Sequence, residues 1–97
     1  MRNNTLSYRQ LEYLLTELGY HLTPTADPEI RVWTNPEFDA MKYLPASPLD
    51  EVARPHYLMI IRRVSIEKGI VEEKEFERLL EKARQYAVDP TANPTAA

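Results

Sequence analysis

The sequence predicts an α+β domain, a two-layer sandwich in which helices cover one face of a three-stranded antiparallel sheet. Three observations lead there. Apolar residues recur at helical spacing near the start of the chain and again through its second half. Between those stretches they alternate in short runs separated by prolines, the pattern of a meander of short strands. The 97 residues, with 43% hydrophobic content, suffice for one modest core and no more. The predicted order is α-β-β-β-α with a third helix at the C-terminal end, forming a single domain over residues 1–87. A sheet with one apolar face then needs the helices as its cover.

The first helix is expected at Tyr8–Leu18. Leu11, Leu14, Leu15 and Leu18 fall on one helical face. Ser7 is placed to cap it, with Gln10 three residues on as its capping-box partner and Leu6 and Leu11 as a hydrophobic staple. Gly19 ends the helix, because glycine takes the left-handed terminal conformation without penalty. Three extended pieces follow, at Tyr20–Thr25, Glu29–Thr34 and Phe38–Leu44. Pro24 marks the first as an edge or a strand end, and Asn35-Pro36-Glu37 reads as the turn between the second and third. Phe38, Ala40 and Leu44 are expected on one face of the sheet and Met41 and Tyr43 on the other.

Residues 45–54 read as a polar loop. Pro55 then suits the first turn of a second helix, where its missing N–H is not needed. Tyr57, Leu58, Ile61, Val64 and Ser65 line one side of that helix, Met59 and Ile60 widen its apolar surface, and Gly69 closes it. A third helix is expected over residues 72–86, with Phe76, Leu79, Leu80 and Ala83 as its apolar stripe and interleaved glutamates, lysines and arginines on its other side. The tail Val88–Ala97 has no periodic apolar pattern and is expected to be disordered.

Composition removes several function classes. With no cysteine there is no disulfide frame, thiol nucleophile or cysteine-held metal, and His21 and His56 alone cannot build a zinc site. A net charge of −3 argues against a protein that coats nucleic acid in general. With only Gly19 and Gly69 there is no glycine-rich phosphate loop, so no cofactor is expected. No apolar segment approaches membrane-span length and no signal-peptide pattern opens the chain, so no membrane association is expected and the expected location is cytoplasmic.

Certain strings recur in a telling order: Leu18-Gly19-Tyr20 at the first helix exit, Asn35-Pro36 at the turn, Tyr43-Leu44-Pro45 closing the third strand, and Asp50-Glu51-Val52 leading to Pro55. Together, over Leu6 to Val64, they resemble the HicA-like family of small toxin domains, which have a double-stranded-RNA-binding-domain-like fold. The resemblance implies an mRNA-cleaving ribonuclease neutralised by a HicB-type antitoxin. The family's Gly-Ser-His motif would fall at the entrance to the second strand. Here that region reads Pro28-Glu29-Ile30-Arg31, so the histidine position holds Ile30 or Arg31. Isoleucine has no proton to exchange, and arginine stays protonated and cannot act as a general base.

The remaining imidazoles, His21 and His56, are the candidates for acid–base work, and a surface bystander role is the plainer reading of each. Asp27 and Glu29 are poorer bases, since an exposed carboxylate titrates near 4. For RNA binding the candidates are Arg54, His56, Arg62 and Arg63 on or beside the second helix, whose N-terminal end favours anions. Arg31 and Lys42 are weaker ones. The plainer reading is a solvated basic face. Trp33, Met41 and Tyr43 are expected to share the non-core face of the sheet, either as a partner surface or under the third helix. The expected function is therefore a non-catalytic HicA-like domain that binds a protein (HicB-like, or a second copy) or structured RNA. The alternative is a ribonuclease toxin of a toxin–antitoxin system with an altered active site. No metal is expected.

Overall fold

Ser7 opens the first helix as its spacing predicts. In the computed structural model, which describes residues 5–86, the Ser7 hydroxyl accepts the Gln10 N–H at 3.1 Å, and the Gln10 side chain accepts the Ser7 N–H at 3.0 Å. Helix α1 spans Tyr8–Glu17. Leu11, Leu14 and Leu15 on its inner face are almost fully buried. Gly19 ends it at φ +97°, with the Asn35 amide donating to the Leu18 carbonyl at 3.1 Å. A side chain at Gly19 would be strained by that φ and would approach the Asn35 amide within 3.3 Å.

The sheet is antiparallel in the order β1-β2-β3, with β1 at His21–Thr23, β2 at Ile30–Asn35 and β3 at Ala40–Pro45. The expected α-β-β-β-α-α order holds. The strand limits differ from the sequence reading at both turns. β1 is shorter because Pro24 stops the ladder one residue after Thr23. β3 starts later because Pro36–Phe38 winds into a 3-10 turn, closed by Asp39 in the left-handed region at φ 54°. Aspartate is among the few non-glycine residues that tolerate this conformation.

Helix α2 spans Pro55–Glu67 and helix α3 Glu73–Gln85. The core joins α1, α2 and α3 to one face of the sheet through Leu14, Leu15, Trp33, Leu44, Ile61 and Phe76. α3 packs on α1 and α2. Lys82 pairs with Glu17 at 3.1 Å, and Tyr86 stacks on Tyr13 at 4.3 Å. The Gln10 amide group donates to the Arg84 and Tyr86 carbonyls at 3.0 and 3.1 Å, satisfying the end of α3. The tail expected to be disordered, Val88–Ala97, lies outside the described residues.

The polar loop before α2 has a structural task that its composition did not announce. It runs along the start of α1, where the Tyr8 and Arg9 N–H groups donate to the Glu51 and Leu49 carbonyls, each at 2.9 Å. The Ala53 N–H donates to the Leu6 carbonyl at 2.7 Å. The N–H groups that the first turn of a helix leaves over are thereby satisfied.

One sequence expectation is corrected. Trp33 does not share a face with Met41 and Tyr43. It lies opposite Lys42 in the β2–β3 register, and directly opposed residues share a face. Trp33 is 6% exposed on the helix side, whereas Met41 and Tyr43 are each 57% exposed. Ile30, Val32 and Thr34 therefore join Met41 and Tyr43 on the outer face. Alternation gives the period but not which parity turns inward, and the large indole takes the core while the β-branched residues stay outside. α3 does not cover the outer face.

Replacing Leu14, fully buried between α1 and the sheet, by alanine is expected to lower unfolding free energy by about 3 kcal/mol. Replacing the exposed Met59 is expected to change it by less than about 0.5 kcal/mol. Urea denaturation of both variants measures the contrast, and equal effects would contradict this core.

Candidate binding surface on the second helix and third strand

The strand position that the resemblance assigns to a catalytic histidine is structural in this chain. Arg31 points to the helix side of β2 and forks onto Glu12 of α1, with nitrogen–oxygen distances of 2.5 and 2.9 Å. Glu12 is buried, and the arginine side chain is about one-third exposed. Both carboxylate oxygens are satisfied by the guanidinium, which holds α1 over the sheet. Ile30, the other candidate for that position, is on the outer face. Asp27 is taken up in the turn before β2, where its carboxylate accepts the Glu29 N–H at 2.9 Å.

The two histidines do not meet. His21 is exposed on β1, one edge of the sheet, and His56 is exposed on α2, which packs against β3 at the other edge. His56 leans on the Tyr57 ring, centroids 4.1 Å apart and planes 35° from parallel. No acid–base pair of imidazoles forms. Among the described residues no group of three or more histidines, cysteines, aspartates or glutamates is placed to hold a metal, and no helix is long and apolar enough to cross a membrane.

The basic residues divide into two sets. Arg9, Arg31, Arg62, Arg78, Lys82 and Arg84 each pair with a carboxylate. Among the remaining described lysines and arginines, Lys42, Arg54, Arg63, Lys68 and Lys74 have no carboxylate partner. Four of those five lie on β3 or along α2. Arg54 is the exposed N-cap of α2, Arg63 projects from its outer side, and Lys68 follows its last turn.

Arg62, expected with this group, is instead tied to α3 by Glu73 at 2.7 Å and Glu77 at 3.1 Å. Those bonds raise its pKa further above an already high value, so it stays charged but is occupied. The sequence reading gave Lys42 little weight, yet it belongs to the unpaired set. Its ammonium sits 5.2 Å from the centre of the Tyr57 ring, a cation–π contact linking β3 to α2. Burial pushes its pKa below the ordinary lysine value. The spatial meeting of Lys42 and α2 has no signal in the sequence, because it depends on how the helix lies against the sheet edge.

No family model, no curated protein and no solved structure matches the chain.

Two outcomes follow. Glu12→Met leaves the Arg31 guanidinium unpaired against the core and is expected to cost about 2 kcal/mol, while the double variant Glu12→Met, Arg31→Met recovers most of that loss in a denaturation cycle. The Lys42 amine, followed by NMR through a pH titration, is expected to titrate below the usual lysine midpoint. The penalty on its charged form is complete below the lowered folded-state value. It is lifted as pH climbs to the unfolded value, so this group adds stability over that alkaline window. A midpoint at or above the ordinary value would contradict its desolvation.

Proposed function

We propose that this chain is a non-catalytic binding domain of HicA-like architecture that engages its partner through α2 and β3. The observation that carries this reading is the gathering of carboxylate-free cations, Lys42, Arg54, Arg63 and Lys68, on one helix and the strand beside it in a chain of net charge −3. Elsewhere among the described residues the basic side chains are mostly neutralised by neighbours. A strip left un-neutralised is suited to an anionic or acidic partner.

Support for the non-catalytic part comes from the chemistry of Arg31 and Ile30. One is locked in an ion pair and the other is aliphatic. Cleavage of RNA by general acid–base catalysis needs a group titrating near neutrality within reach of the 2′-hydroxyl. His21 and His56 stand on opposite sides of the sheet with no second catalytic group paired to either. The partner is a protein, HicB-like or a second copy, or structured RNA held by Arg54 and His56 at the N-terminal end of α2 and by Arg63 further along it. The toxin–antitoxin setting follows from the resemblance alone.

Purified chain incubated with mRNA is expected to leave it full length. Cleavage that disappears in His21→Ala or His56→Ala would overturn the non-catalytic reading. Titration with an RNA duplex of about 16 base pairs at low salt then separates the partner classes. Shifts of the Arg54 and Arg63 amides in the NMR spectrum would identify RNA, and an unchanged spectrum removes RNA from consideration.

A further inference from the structure

β3 is an edge strand, and one hydrogen bond shows which of its backbone groups are free. The Ala46 N–H donates to the Glu29 carbonyl at 2.9 Å, one step beyond the last β2–β3 pair. Hydrogen-bonded and non-bonded pairs alternate along an antiparallel ladder. Leu44, Lys42 and Ala40 therefore bond to Arg31, Trp33 and Asn35. Met41 and Tyr43 occupy the intervening pairs, opposite Thr34 and Val32. Their N–H and C=O groups point away from β2, toward the open edge.

A shallow depression is lined by Met41, Lys42 and Tyr43. Successive side chains leave a strand on opposite faces, so a hollow that touches all three lies alongside the backbone edge itself. α2 flanks it. Tyr57 lies beneath the Lys42 ammonium, and Ile60 and Val64 follow Tyr57 at i+3 and i+7 on the same flank of the helix. Ile60 is exposed and Val64 half-buried. The edge thus offers unpaired backbone groups, apolar surface on both sides and one cation without a carboxylate.

A second copy of the chain fits this edge poorly. Pairing Met41 of one copy with Tyr43 of the other brings the two Lys42 side chains opposite each other, and like charges directly opposed are destabilising. Pairing centred on Tyr43 sets Met41 against Pro45, which has no N–H to donate. Lysine and proline on an edge are common guards against self-association. The same lysine favours an acid across the strand.

We propose that the free edge of β3 takes an extended segment of a partner protein as a fourth strand, with a carboxylate opposite Lys42 and apolar residues on either side of it. The apolar neighbours meet Met41 and Tyr43 on the outer face, and the carboxylate meets Lys42 beside α2. Main-chain hydrogen bonds supply the affinity and the alternate side chains the specificity. This rests on the reading of the chain as a binding domain, but an mRNA-cleavage result bears on that reading alone.

The test is selection of short random peptides displayed against the full chain, followed by affinity measurement on the synthetic peptides recovered. They are expected to share an acidic residue flanked by apolar ones. Tyr43→Pro removes an outward N–H that the sheet does not use, so circular dichroism is expected to be unchanged and peptide affinity to fall about tenfold. Lys42→Glu is expected to switch the selected acid to a base. Should Tyr43→Pro unfold, hydrogen exchange of the unmutated chain with peptide bound replaces it, and the Met41 and Tyr43 amides are expected to gain protection. A selection that yields no peptide, peptides without the acid, equal binding by folded Tyr43→Pro, or no added protection at those amides overturns the proposal. So does an RNA duplex that binds and displaces the peptides while remaining indifferent to Tyr43→Pro, which would assign the strip to phosphate.

Discussion

The fork between Arg31 and Glu12 sets the arrangement on which the other features depend. A β-strand turns its side chains out and in with a period of two, so fixing one residue of β2 fixes them all. Once Arg31 reaches Glu12 on α1, Trp33 and Asn35 must also face the helices. Asn35 then lies where its amide reaches the Leu18 carbonyl that caps the end of α1. Through the β2–β3 register, Ala40, Lys42 and Leu44 take the same side and Met41 and Tyr43 the other. A buried ion pair adds little net stability, since desolvation offsets most of its attraction. In this fold its consequence is the choice of register, and the burial of Trp33 beside it stabilises the same choice.

α1 is the element to which the others are fastened. Its first N–H groups are satisfied by carbonyls from the loop before α2 and by the Ser7 hydroxyl. Its Gln10 side chain bonds at one end to the helix's own start and at the other to the final carbonyls of α3. Hydrogen bonds of this kind contribute modestly one by one, and leaving such groups buried and unmade would be costly. Exposed pairs such as Arg78 with Glu75 matter less to stability because water and salt screen them. Their larger effect is to neutralise five of the described cations and so leave the strip on α2 and β3 distinct.

That strip joins two kinds of binding potential. Arg54, Arg63 and Lys68 are exposed charges on or next to a helix, suited to long-range attraction and weakened by salt. Lys42 is different, half-buried against Tyr57 with its charge disfavoured by burial. A carboxylate brought to it would be attracted in a less polar setting than bulk water offers, where a hydrogen-bonded pair discriminates partners best. The outward backbone groups of Met41 and Tyr43 lie within one residue of that charge. The two imidazoles do not join this strip together: His56 stands on α2, and His21 is on β1 at the other edge of the sheet.

Much of the architecture was legible in the chain itself. The leucine spacing of α1, the Ser7–Gln10 box, Gly19 as a stop and Pro55 as a start are local signals with local physical causes, and each appears where the sequence places it. The absence of an imidazole at Ile30 and Arg31 was equally plain, as was the exposure of His21 and His56. The inward parity of β2, the capture of Arg62 by α3, the loop zipped to α1 and the meeting of Lys42 with Tyr57 were decided only in the folded chain. Each joins residues distant in sequence, and periodicity carries no record of which distant surface a residue will meet. The sequence alone determined which elements form and where they stop, because backbone conformation and capping act over a few residues. Tertiary packing decided which faces are buried and which charges stay unpaired, because burial and ion pairing depend on what the rest of the chain brings alongside.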